Sequence, residues 1–149
     1  MNLVERMQSH ADQIVDEAAE AVSHARLHHY EAAGDALTRQ RIRALLDAVI
    51  ESLSHGTPLS VVQHAEDVGN ERFLAGFGID EIQVAFNTLE EALWRFLVAT
   101  VPAEELAEEL GQLGAVLGAG KDQLARTYVL LASHRHAPHV DVEALNQIV

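Results

Sequence analysis

The chain carries nine histidines, and histidine is its one chemically suggestive residue type. His24 and His28 stand one helical turn apart with His29 adjacent, so two imidazoles could share a face and hold a metal ion. His134, His136 and His139 form a second cluster. A structural metal site needs three or four convergent ligands, and a di-iron bundle needs Glu-x-x-His pairs on two helices. Neither His-Glu-x-x-His nor Glu-x-x-His occurs beside these residues. The expectation is therefore solvated surface histidines, with no metal and no cofactor. The alternative is a metal- or haem-binding helical sensor using the His clusters, with His24, His28 and His29 as the candidate metal ligands.

Other polar residues offer less chemistry. Glu104, Glu105, Glu108 and Glu109 are spaced as an exposed acidic helix face. No glycine-rich phosphate loop and no nucleophile–base pair is present, so no catalytic residue is assigned and the protein is not expected to be an enzyme. Arg72 and Glu81 flank a Gly76–Gly78 turn and are expected to pair across it, as a clamp on the corner between two helices. Trp94 and Val98 lie off the main apolar stripe of their helix, which suits either a partner surface or the edge of a core.

Five main helices must position these residues. Val4, Met7, Ala11, Ile14, Ala18, Ala21 and Ala25 recur at spacings of three and four, which predicts a first helix over 3–25. Residues 26–34 are less regular, and Gly34-Asp35 reads as a break with Asp35 as a cap. A second helix over 36–55 buries Ile42, Leu45, Leu46, Val49, Ile50 and Leu53, and Gly56-Thr57-Pro58 ends it. A third runs to about residue 77. The fourth, over 79–101, starts with Asp80 and Glu81, whose charges suit the free N–H groups of a first turn. Pro102 opens a long fifth helix to residue 134.

That last helix has two stripes. Leu106, Leu110, Leu113, Leu117, Gly120, Leu124, Thr127 and Leu131 alternate by four and three, a heptad-like seam suited to a bundle core or a partner helix. Beside it run Ala107, Gly111, Gly114, Gly118 and Ala125. Each interior glycine costs roughly 1 kcal/mol relative to alanine, which makes sense where another backbone approaches closely. The expected packing or dimer face is thus Leu106, Leu110, Gly111, Leu113, Gly114, Leu117 and Gly118. Residues 1–135 are expected to be one helical sensory or interaction domain, and 136–149 a tail or linker.

Composition narrows the class. Hydrophobic residues make up 48% of 149, enough for a real core. Cysteine is absent, which excludes disulfides and thiolate ligands. Acidic residues outnumber basic ones by 23 to 10, for a net charge of -13. Such a field repels phosphate backbones and anionic lipid, so neither nucleic acid nor membrane is an expected partner. The start, Met1 to Arg6, lacks the basic head and apolar run of a signal peptide, so a cytoplasmic location is expected.

The run from Gly69 to Phe96 resembles the N-terminal domain of the RsbR/RsbRD-type co-antagonist proteins of bacterial stressosomes. The residues that carry the resemblance are Gly69, Arg72, Gly76-Phe77, Glu81-Ile82, Phe86, Leu89 and Leu93. Related helical domains precede the regulatory parts of PucR-like transcription regulators and some sensor kinases. The resemblance implies an all-α bundle, in some members globin-like without haem. It further implies a non-catalytic, homodimeric sensor domain for stress-response signal transduction, which works on a regulatory protein partner. In that family a STAS domain or a DNA-binding output normally follows, and these 149 residues contain neither.

Overall fold

A computed structural model gives the fold and describes residues 1–25 and 27–136, except for the side chains of His28, Arg135 and His136. Among the described residues there are seven helices and no strand: α1 (Leu3–Ser9), α2 (Ala11–His24), α3 (His28–Ala33), α4 (Asp35–His55), α5 (Leu59–Leu74), α6 (Ile79–Thr100) and α7 (Ala103–His136). The fold is all-α with a long last helix. The count of five is corrected to seven, for two local reasons.

The predicted first helix bends at His10. Backbone hydrogen bonds still run through the bend, from His10 N to the Arg6 carbonyl and from Ile14 N to the His10 carbonyl. Met7, Ala11, Ile14 and Ala18 therefore stay on one buried stripe. A capping box fixes the start, where Glu5 N donates to Asn2 Oδ1 at 2.8 Å and Asn2 N donates to Glu5 Oε2 at 3.3 Å. The irregular stretch then holds the short α3, stopped by Gly34 at φ 86°. Gly34 and not Asp35 occupies the N-cap of α4, and Asp35 lies in its first turn. The other end of α4 is stopped by Gly56 in the left-handed region, φ 68°.

The leucine seam of α7 lies in the monomer core. Leu113, Leu117 and Leu124 are fully buried, and Leu106 and Leu110 pack partly buried against the same cluster. α7 packs against α5 and α6, while α2 packs against α4 and α6. Two glycines permit close helix approach. A Cβ on Gly120 would lie 3.0 Å from Val61 Cγ2 and 3.1 Å from Phe86 Cε1. One on Gly69 would lie 2.9 Å from Thr127 Cγ2. Around this core, surface ion pairs tie neighbouring helices: Arg43 to Asp12 at 2.8 Å, Arg95 to Glu17 at 2.8 Å, and Arg39 to Asp16. Exposed pairs of this kind are screened by solvent and contribute little to stability.

Candidate functional site

The α5–α6 corner is built by its backbone first. α5 ends at Leu74, earlier than the periodicity predicted, because Gly76 turns the chain at φ 87°. Phe77 N then donates to the Arg72 carbonyl at 2.9 Å and Gly76 N to the Phe73 carbonyl at 3.1 Å. These two bonds form a Schellman motif, which places Phe77 over Arg72. In most such motifs the two residues make an apolar contact. Here the Arg72 guanidinium carbon sits 5.9 Å from the Phe77 ring centroid.

Phe77 is the hub of the corner. His29 of α3 stacks on its ring with centroids 4.3 Å apart. Tyr30 meets it edge-on at 5.9 Å. The Arg41 guanidinium of α4 lies 5.4 Å from the same centroid. From α7, the Tyr128 hydroxyl donates to the Phe77 carbonyl at 2.8 Å, and the Tyr128 ring meets Phe73 edge-on. Four helices thus converge on one aromatic residue.

The expected Arg72–Glu81 clamp is corrected. Glu81 is buried, but its carboxylate is held by His29 Nδ1 at 2.7 Å. It also accepts from the Gly78 backbone N–H at 3.2 Å, capping α6. Burial pushes this carboxyl up, but the hydrogen bonds from His29, the attraction of His29 and the Gly78 bond outweigh it and hold it below its ordinary value. Arg72 is 7% exposed. Among the described residues its Nε and Nη1 have no hydrogen-bond partner, and the same is true of Arg41 Nη1. Burial, then the charge of Arg41, lowers the Arg72 pKa. His64 is likewise pushed down, first by burial and then by Arg72. Burial, followed by the charge of Glu81, lifts the Tyr128 phenol to about 12.

A second feature lies on the surface of α6 and α7. A Cβ on Gly111, Gly114 or Gly118 would meet nothing within 4 Å. Among the described residues, then, no helix covers this small-residue stripe. α6 and α7 are consecutive and turn at Val101 and Pro102, and Lys121 Nζ bridges them to Glu90 Oε2 at 2.6 Å. Between bridge and turn α6 presents Trp94 and Val98, 46% and 57% exposed. Trp94 is thus half-exposed, which fits both readings, a partner surface and the edge of a core.

Among the described residues the histidines do not converge. Among the described residues no three or more of His, Asp and Glu are placed to hold a metal ion. His24 Nδ1 contacts the Glu20 carbonyl, His29 is engaged with Glu81 and Phe77, and the His28 side chain lies outside the described residues. His134 is exposed on α7. The side chain of His136, all of His139 and the rest of the expected tail to residue 149 lie outside the described residues.

Sequence reasoning placed Gly69, Arg72, Gly76, Phe77 and Glu81 at the corner. It missed Tyr30, Arg41 and Tyr128, and it missed His29 as the partner of Glu81. No sequence signal joins them, since His29 lies 52 positions from Glu81. Tyr128 could have been noticed as the neighbour of Thr127 on the seam.

Among the described residues the best-defined polar site is this packed corner between helices. Residues 8–137 match the model of the RsbT co-antagonist protein RsbRD N-terminal domain, and the chain belongs to that family. No curated protein and no solved structure matches it. No helix among the described residues is long and apolar enough to cross a membrane.

Proposed function

We propose that this chain is a non-catalytic sensory domain of bacterial stress-response signalling, acting in the cytoplasm as a homodimer on a regulatory protein partner. Its membership of the co-antagonist family supports the signalling role. The observation that carries the dimer is the open stripe of Gly111, Gly114 and Gly118 on α7, together with exposed Trp94 and Val98 on α6, the helix that packs against it. Large exposed apolar side chains on one helix and a stripe of glycines on another suit a self-complementary contact, in which a two-fold axis sets the apolar side chains of one copy against the glycines of the other. Isologous contact of this kind also gives a reason for three glycines in a helix interior, where they otherwise only destabilise.

In this proposal residues 1–135 are the working unit and 136–149 the connection to an output. A change in dimer packing travels along α7 toward its C-terminus. A globin-like arrangement without haem belongs to the same proposal.

Sedimentation or light scattering tests it. The wild type should be dimeric, and Gly114→Leu should be monomeric with unchanged helical circular dichroism, because the single chain has room for the side chain. A wild type that is monomeric at every accessible concentration would end the dimer reading.

A further inference from the structure

The corner holds two cations and too few acceptors. Arg72 is 7% exposed and partnerless at Nε and Nη1, and Arg41 is partnerless at Nη1, among the described residues. Both guanidiniums lie against the Phe77 ring, at 5.9 and 5.4 Å. They are close enough for the charge of Arg41 to act on Arg72. The nearby carboxylates do not serve them: Glu81 is bound to His29 and Gly78, and Glu71, which attracts Arg72 through its charge, makes no hydrogen bond to it. His64 is pushed toward its neutral form and adds no counter-charge.

Buried charge persists where it is paired or hydrogen-bonded, and a ring face satisfies neither requirement fully. A guanidinium fork is shaped for two oxygens of a carboxylate or phosphate. We infer that Arg41 and Arg72 form a binding site for one small oxyanion per chain, a phosphate or a carboxylate, seated beside Phe77. Arg41 as a residue is only partly buried, while its Nη1 is enclosed. The net charge of the chain is -13, so its general field disfavours anions and any saturable binding must be local. This site does not depend on the dimer reading, because no residue of the α6–α7 face takes part in it.

Thermal melting of the full-length protein, with sodium phosphate or sodium succinate exchanged for sodium chloride at constant ionic strength, tests the site. The melting temperature should rise and saturate with one of the two anions, and calorimetry should give one site per chain. Which anion acts tells whether the site takes phosphate or carboxylate. In Arg41→Gln, which removes a partly exposed side chain and leaves the core intact, the rise should vanish and the affinity should fall at least tenfold. Arg72→Gln should behave in the same way if it folds. No rise with either anion, or an equal rise in Arg41→Gln, overturns the inference. Both outcomes are read from binding alone and leave the oligomeric state a separate question.

Discussion

A double-mutant cycle on His29 and Glu81 probes the corner most directly. The His29 side chain retains 28% exposure and that of Glu81 11%, at an Nδ1–Oε2 distance of 2.7 Å. The pair therefore stands between exposed pairs, worth about 1 kcal/mol or less, and buried ones, whose breakage costs about 3–5 kcal/mol. We expect a coupling of about 1–2 kcal/mol between His29→Ala and Glu81→Ala at pH 7. For a chain of this size that corresponds to a melting shift of roughly 3–6 °C from the pair term. The matching cycle on Arg72 and Glu81 should give less than about 0.5 kcal/mol.

The dependence on pH has a definite sign. The folded carboxyl of Glu81 titrates below its unfolded value, which is about 4.3. Its contribution is therefore complete above that unfolded value and is lost as pH falls through the lower folded one. The stability gap between wild type and Glu81→Gln should shrink as pH falls below the unfolded value of about 4.3. Urea melts at each pH measure it. Strong Arg72–Glu81 coupling, or a gap that widens in acid, would refute the reasoning.

The glycines of α7 should divide by position. Gly114→Ala meets open space and should gain up to about 1 kcal/mol of helix stability when assayed as a monomer. Gly120→Ala presses on fully buried Val61 and Phe86, and about 1–3 kcal/mol of overpacking should outweigh the same gain. Thermal melts of the two variants side by side decide this, and equal shifts would contradict the packing. Tyr128→Phe removes the bond to the Phe77 carbonyl and should cost about 1–2 kcal/mol. In the wild type, ultraviolet titration should show Tyr128 still protonated past pH 11 and Tyr30, raised by burial, ionising above its ordinary value.

Helix existence and most boundaries were legible in the sequence because they are local. The stop at Gly56, the acidic first turn of α6 and the seam through Leu113, Leu117 and Leu124 need only neighbours three or four positions away. The corner residues were found for the same reason: Gly76, Phe77 and Glu81 follow one another in the chain. Their partners were not found, because the order of pairing at the corner is a tertiary fact. Arg72 and Glu81 are opposite charges astride a turn, which suggests a pair. The Schellman turn instead points Arg72 at the face of Phe77, while α3 delivers His29 to Glu81. The glycine stripe shows a different limit. A furrow that receives a helix of its own chain and one that does not read alike in sequence. Within the chain, close approach falls at Gly69 and Gly120, leaving Gly111, Gly114 and Gly118 open.

α7 joins the two features of this molecule. Its residue Tyr128 is bonded to the corner, and Gly118 and Gly111 lie 10 and 17 residues earlier on the same helix, about 15 and 25 Å along its axis. Leu113, Leu117 and Leu124 lock the intervening length into the core, so α7 cannot slide without repacking them, and interiors repack in discrete steps rather than by smooth deformation. A ligand at the corner can act on the glycine face only if it favours one seating of α7 over another. By the same linkage, a partner that covers the glycine face must change affinity at the corner by the same factor. A signalling domain that worked in this way would need no moving lid. It would need one rigid helix, packed against a polar corner at one point and exposed along another.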